Sequence, residues 1–308
     1  MHKNKRDNVI DIYNINKRNL LFSDNKAANG VYGHSHVLLD YIGENADKSC
    51  LTCPIEHGLT IANKFLTATE HTNASNYIIT NSLYNKMKIN AISKKKVIVI
   101  GPYIAYANLI CSFDELMECK KKNGRTLLVF PSHGIQGFEP KFDILRFINE
   151  IEKVRKDFKT VIVCMYFHDV LCNYHKPYEK RGYKVACAGN GQNTHFLEKL
   201  KTIIQLSDAV IANSYTTGLQ YAIYMKKPVY VVDNLNFKWE NKSYNNVDKM
   251  DQDLCEIDNL KKFYELCGNP DFTGLNEQIA WGKYMFGIEE VKNKEELKSL
   301  LCPVIRRF

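Results

Sequence analysis

Between residues 125 and 233 short apolar runs alternate with stretches of helical periodicity. The runs are TLLVFPS (126–132), TVIVCMYF (160–167), KVACAG (184–189), AVIAN (209–213) and PVYVVD (228–233). Between the first two, FDILRFINEIEKVRKDF (142–158) places Ile144, Phe147, Ile148, Ile151 and Val154 on one helical face. THFLEKLKTIIQL (194–206) does the same with Phe196, Leu197, Leu200, Ile203 and Ile204. TGLQYAIYM (217–225) reads as a helix that Pro228 prevents from continuing. The apolar runs are continuous rather than alternating, the pattern of strands covered on both faces. Strand–helix alternation of this kind predicts a doubly wound α/β domain with a parallel sheet, which binds ligands at the carboxyl ends of its strands. Those ends carry PSHG, YFHD, AGNGQN and NSYTT, all polar, small or ionisable.

The N-terminal part is less regular. YIITNS (77–82) and KVIVIGPYI (96–104) read as strands with LYNKMKINAI (83–92) as the helix between them, and GVYGHSHVLLDYIG (30–43) contains another helix. CPIEHGLTIANKF (53–65) combines a helix with a histidine-bearing loop. The expected division is an N-terminal α/β domain over 1–122 and a C-terminal domain over 123–308. The first is the smaller, with CKKKNGRT (119–126) as the hinge. Residues 234–253 are polar and Asn-rich and predict a long surface loop or lid. QIAWGKYMFG (278–287) and KEELKSLL (294–301) predict closing helices.

The bulk numbers exclude several classes. The 308 residues, 45% hydrophobic and 25% charged, suit a soluble globular protein. The opening MHKNKRDNVI has no apolar signal region and no run is long enough for a membrane span, so a cytoplasmic location is expected. A formal charge of +8 favours anionic partners. The lysines are spread along the chain without a basic aromatic strip, so nucleic acid is not among the expected partners. The ten cysteines read as reduced thiols. Cys50 and Cys53 form one CxxC with His34 and His36 upstream, but no second CxxC completes a zinc ribbon, and Asp251 and Asp253 fall in a polar stretch, so no metal is expected. A P-loop and a clean GxGxxG are both absent, which argues against kinases and ordinary dehydrogenases.

ANSYTTG (212–218) is the most pointed motif. Ser214 or Thr216 as an N-cap explains one hydroxyl at a strand-to-helix junction. A helix N-terminus at the carboxyl end of a strand also offers free N–H groups and a positive dipole end, and the hydroxyls of Ser214, Thr216 and Thr217 add donors suited to a phosphate. SDAVIANSYTTGLQYAIYMKKPVYVVD (207–233) resembles the donor-domain signature of GT-B glycosyltransferases: an upstream Asp, a strand, hydroxyl residues, a helix, and a Lys-Pro pair opening the next strand. Bacterial sialyltransferase-like and polysialyltransferase-like enzymes, and poly(glycerol phosphate) transferases, carry a similar motif. The whole stretch from about 126 to 233 also resembles proteins of bacterial capsule and surface-polysaccharide loci. The family resemblance implies two Rossmann-like units facing a cleft.

FPSHG (130–134) resembles the histidine motif that opens the donor domain in those families, and PIEHG (54–58) resembles their acceptor-half His-Gly loop. The resemblance implies that Ser132, Gly134, Ser214, Thr216 and Thr217 bind a donor phosphate, and that His133 binds or protonates it as the leaving group departs. Glu56 or His57 would be the general base for the acceptor hydroxyl. The families with the closest Ser/Thr motif place an acidic pair before the glycine, which IEHG does not copy; the other reading of Glu56 is a helix-start loop. His34 and His36 are either acceptor-site or surface residues. His168 and Asp169 stand where a base or ribose would lie, and Asn190, Gly191 and Asn193 follow the next strand as nucleotide contacts.

The expected activity is transfer of a sugar from a nucleotide donor, CMP-linked being one candidate, to a surface glycan or lipid-linked acceptor, without a cofactor. Transfer of a polyol phosphate, and nucleotide or glycan binding without turnover, are the alternatives. VIRRF (304–308) is the segment expected to touch the inner membrane face.

Overall fold

The computed structural model describes residues 12–25, 29–56, 61, 74–134, 138–232, 238–241 and 257–308. Near the N-terminus, α1 (His34–Tyr41) precedes the short strand β1 (Ser49–Leu51). Then β2 (Tyr77–Thr80), α2 (Leu83–Ile92) and β3 (Lys96–Val99) form a parallel β-α-β unit. Ser82 caps α2 by accepting from the Asn85 N–H at 3.1 Å. The strand expected to run to residue 104 ends at Val99. Gly101 turns the chain at φ 77°, Pro102 follows, and Tyr103–Tyr106 form a 3₁₀ turn. Lys-rich residues 119–123, expected as a hinge, are the last turn of α3 (Phe113–Asn123), closed by Gly124 at φ 64°.

The second part holds β4 (Thr126–Phe130), β5 (Phe138–Lys141), α4 (Ile144–Val154), β6 (Thr160–Cys164), β7 (Lys184–Ala186), α5 (Phe196–Leu206), β8 (Ala209–Ala212), α6 (Thr217–Tyr224) and β9 (Val229–Val231). Five of these strands make one parallel sheet in the order β7-β6-β4-β8-β9. The protein is therefore mixed α/β with a doubly wound sheet, and the strand order reverses between β4 and β8.

Alternate strand residues enter two separate cores. Leu128, Phe130, Ile162, Cys164, Val210, Ala212 and Val229 join one, with Leu197, Leu200, Ile203 and Ile204 of α5 and Leu219 and Ile223 of α6. Leu127, Val129, Val161, Val163, Val185 and Ile211 join the other, with Phe147, Ile148 and Ile151 of α4. That two-sided burial is why the strands read as unbroken apolar runs.

The polar stretch expected to be a loop contains β10 (Lys238–Asn241), which pairs antiparallel with β5; the rest of 234–253 lies outside the described residues. α7 (Ile257–Cys267), α8 (Leu275–Met285) and α9 (Lys294–Leu301) close the chain, and α8 packs on both α6 and α2. The basic closing segment forms β11 (Ile305–Arg307), paired antiparallel with β1. Arg307 makes a two-pronged ion pair with Glu44, at 3.0 and 2.6 Å, so one of the two arginines expected at a membrane is engaged within the fold. Among the described residues no helix is long and apolar enough to cross a membrane.

Candidate functional site

The reversal between β4 and β8 brings together two motifs that are 81 residues apart in sequence. Pro131, Ser132, His133 and Gly134 leave the carboxyl end of β4, and Asn213, Ser214, Tyr215 and Thr216 leave that of β8. The Ser132 and Ser214 hydroxyls are 2.5 Å apart. Asn213 holds the pair in place: its side-chain oxygen accepts from the Ser132 N–H at 2.7 Å and from the Ser132 hydroxyl at 3.1 Å. The other half of that carboxamide, Nδ2, is buried with no hydrogen-bond partner among the described residues. An orphaned buried N–H group is costly and uncommon in a folded protein.

Thr216 occupies the N-cap position of α6 in extended conformation (φ −144°, ψ 157°), yet its side chain makes no capping hydrogen bond among the described residues. The Ser214 hydroxyl is turned to Ser132 instead. The backbone closes part of this end itself: the Leu219 N–H donates to the Thr216 carbonyl at 3.1 Å. Gly218 brings this end of α6 close to the sheet: a methyl group there would stand 3.1 Å from the Phe130 ring.

His133 is half-buried on the other side of the site. Its Nδ1 lies 3.3 Å from the Gly134 carbonyl and its ring is 5.0 Å from that of Tyr166. Burial holds its pKa below the usual imidazole value of 6.5, partly offset by the Gly134 carbonyl. The unliganded ring is accordingly neutral at neutral pH. Donation from Nδ1 to Gly134 leaves the lone pair on Nε2. The Gly134 N–H donates to the buried carboxylate of Asp169 at 3.0 Å, which pins the loop to the short helix Phe167–Leu171. Of the neighbouring residues expected at a base or ribose, Asp169 therefore serves the loop. His168 points Nδ1 at Cys172, 3.9 Å away. Asn190 accepts from the Gln192 N–H at 2.6 Å, shaping the loop after β7.

The acceptor-side candidates divide differently. Glu56 is 1% exposed; its carboxylate accepts from Thr80 and, at 2.8 and 3.0 Å, from Asn85. His57 and Gly58 lie outside the described residues. His34 is buried against Tyr103, with ring centres 4.6 Å apart, and His36 meets His195 at 5.8 Å. Among the described residues no group of three or more His, Cys, Asp or Glu side chains is arranged to hold a metal, and all the cysteines are free.

Two contributors were not assigned from sequence. Asn213 stood inside the quoted motif without a role, its signal being an amide at the strand end beside a serine. Tyr166 gives no signal in one sequence. It packs on His133, and it and Tyr32 of the N-terminal part both stand against Gly191.

No described protein family and no curated protein matches the sequence. In structure the chain is similar to a variant of the wall teichoic acid polymerase TagF, at 13% identity and a TM-score of 0.45, over 82% of this chain and 67% of that one. It is similar to the UDP-GlcNAc 2-epimerase of Neisseria meningitidis bound to UDP-GlcNAc (14%, TM-score 0.39, 82% and 67%). A third similar structure is the Methanocaldococcus jannaschii UDP-GlcNAc 2-epimerase in complex with UDP-GlcNAc and UDP (14%, TM-score 0.39, 59% and 53%).

Proposed function

We propose that this protein is a GT-B-type glycosyltransferase that moves a sugar from a nucleotide donor, CMP-linked being one candidate, to a surface glycan or lipid-linked acceptor. Residues 123–308 carry the donor side and 1–122 the acceptor side. The observation that carries the reading is the meeting of Ser132, Asn213 and Ser214 with the N-terminus of α6 at the point where strand order reverses. A phosphate there meets hydroxyls, helix N–H groups and the dipole end of α6. Thr216 and Thr217 add hydroxyls.

The chemistry follows from charge. Breaking the bond between sugar and phosphate leaves negative charge on the phosphate oxygens, so groups that meet this charge more strongly as it grows lower the barrier. His133 is neutral before binding and gains a reason to hold a proton when an anion arrives. It then donates to the departing phosphate. Attack by the acceptor hydroxyl needs a base, which we assign to Glu56 or His57. The present partners of Glu56, Thr80 and Asn85, would hold its carboxylate in one orientation.

A thermal-shift panel with CMP, CDP, UDP, GDP and ADP, repeated on Ser214→Ala/Thr216→Ala, tests the donor site. Stabilisation by one nucleotide class, lost in the double variant, is the expected result. Stabilisation by none of them, well above typical donor affinities, would reject the reading. Product analysis then separates sugar transfer from polyol-phosphate transfer, since only the latter leaves an alkyl phosphate in the product.

A further inference from the structure

Lysines that are spread along the sequence are gathered by the fold. In a parallel sheet every crossover returns to the same edge, so the segments leading into the strands meet at the amino-terminal end, opposite the donor site. The last turn of α3 and the residue before β4 bring Lys120, Lys121, Lys122 and Arg125 there. Arg155, Lys156 and Lys159 precede β6. Lys180, Arg181 and Lys184 stand at the start of β7, and Lys226 and Lys227 precede β9. Direct contacts join these segments. Lys159 Nζ donates to the Lys122 carbonyl at 3.2 Å and Lys184 Nζ to the Asn123 side chain at 2.7 Å. Lys227 Nζ donates at 2.7 Å to the carbonyl of Ser207, two residues before β8.

The carboxylates at this end do not cancel the charge. Asp208 pairs with Lys120 at 3.3 Å, Glu152 with Arg155 at 3.3 Å, Glu150 with Lys153 at 2.7 Å and Glu179 with His175 at 3.7 Å. Outside those pairs stand Glu118 on α3, Asp157 before β6, and Asp271 and Glu277. The last two lie here because Phe272 packs on Phe158 and Gln278 accepts from the Val229 N–H. Against these four carboxylates, every cation named above except Lys120 and Arg155 is without a carboxylate at ion-pair distance among the described residues. All of those except Lys227 are exposed. Like charges are close enough to be felt: burial lowers the Lys227 pKa, and the Lys120 ammonium lowers it further against the pull of Asp208.

The charged end is broad in both directions. Its cations come from α3, which joins the core on one face of the sheet through Leu116, and from the end of α4, which joins the core on the other. Along the sheet, five strands at ordinary spacing carry it over roughly 19 Å. Such breadth matches a charged plane better than a single polymer thread. The rings at this end are covered: Phe158 and Tyr183 are buried, with the guanidinium groups of Arg125 and Arg155 over them at 4.6 and 5.4 Å. They offer no stacking platform to single-stranded nucleic acid. An anionic lipid surface asks only for cations within a Debye length of its headgroups.

We propose that the amino-terminal end of the five-stranded sheet docks on an anionic lipid surface, rather than the closing segment, whose Arg307 is held by Glu44. β4 has five residues, so this docking holds the donor site roughly 17 Å from the headgroups and facing away from them. The inference does not rest on glycosyl transfer. The experiment is co-sedimentation of the full chain with vesicles of equal parts phosphatidylglycerol and phosphatidylcholine, and with vesicles of phosphatidylcholine alone. The chain should sediment with the first and not the second, and about 0.5 M salt, which shortens the Debye length to roughly 4 Å, should release it. Lys121→Gln/Lys156→Gln/Arg181→Gln removes three exposed cations from different segments of this end. At about fivefold per charge, it should weaken partitioning at least twentyfold. Lys94→Gln/Lys261→Gln/Lys298→Gln removes the same charge from exposed positions before β3 and on α7 and α9, and should weaken it only a few-fold. Both variants should keep the wild-type melting temperature and nucleotide response. No sedimentation with the anionic vesicles, equal sedimentation with both kinds, or equal loss in the two variants overturns the docking face. Binding of a DNA duplex that the first variant loses, without binding to vesicles, would overturn it in favour of nucleic acid. Vesicle binding in a chain that answers no nucleotide would reject the donor site and leave this face standing.

Discussion

The Asn213 carboxamide has one end satisfied and the other unmatched. Its oxygen is held by Ser132, while Nδ2 is buried beside the proposed phosphate position without a partner among the described residues. A donor kept in that state is suited to an anionic ligand, to which a hydrogen bond contributes about 1.5–3 kcal/mol. Asn213→Asp keeps the acceptor for Ser132, removes the donor and adds a like charge. It should weaken nucleotide binding at least tenfold by calorimetry, about 1.4 kcal/mol, with the fold retained by circular dichroism; unchanged affinity would rule out contact between Asn213 and phosphate. The two shifted histidines give a second test at this scale. Burial lowers His133, whereas Glu198 raises His195. His133 therefore contributes stability above pH 6.5 that is lost as pH falls through its folded pKa. His195 contributes stability below 6.5 that is lost as pH rises through its own. Imidazole proton NMR should find the two resonances titrating on opposite sides of 6.5. Saturating CMP should move His133 upward and leave His195 in place; a His133 titration indifferent to CMP would remove it from the phosphate site.

Asp208 shows why motif and role separate at the scale of the element. It lies one residue before β8, within the stretch that resembles a donor signature, but at the far end of the strand from the site. Its carboxylate accepts from the Thr126 N–H at 2.8 Å and pairs with Lys120 at 3.3 Å, tying the starts of β4 and β8 together. Asp208→Ala should lower unfolding stability by about 1 kcal/mol in urea titration, the usual size of one such bond, with nucleotide affinity unchanged. Loss of affinity without loss of stability would contradict this structural assignment. Elements whose burial repeats locally were legible: α4 (144–154) and α5 (196–206) lie within the stretches that their periodicity marks, 142–158 and 194–206. Each of the five sheet strands falls within its apolar run. The β5–β10 pair was not legible, because two short polar segments pair across the chain and neither carries an apolar pattern. In the site, the PSHG and NSYTT ends were legible as strand termini in a doubly wound sheet. The Ser132–Ser214 contact was not, since it depends on the β4–β8 register, which no single segment encodes.

At the scale of the whole molecule, the sequence suggests two units, and the packing joins them through one core. The hydrophobic cluster on one face of the five-stranded sheet continues through Ile78, Ile98, Leu38 and Tyr103 of the N-terminal part and Phe263, Phe286 and Leu297 of the closing helices. Backbone contact reinforces the join. Gly33, at φ 74°, lies so close to the loop after β7 that a Cβ would stand 2.1 Å from the Thr194 carbonyl oxygen. Next to it, Tyr32 donates its N–H to the Gly191 carbonyl at 2.5 Å. Gly182 is a natural control: its φ is 77°, but nothing stands within 4 Å of a Cβ there. Gly182→Ala therefore measures the backbone term alone, about 1–2 kcal/mol, whereas Gly33→Ala adds a clash with backbone from the other part. Differential scanning calorimetry should show a single cooperative transition for the wild type, because a shared core cannot be half unfolded without exposing the remainder. Gly33→Ala should melt clearly below Gly182→Ala. Two transitions in the wild type would mean that the parts are stable independently, and equal melting of the two variants would mean that the approach of Gly33 to Thr194 does not hold them together.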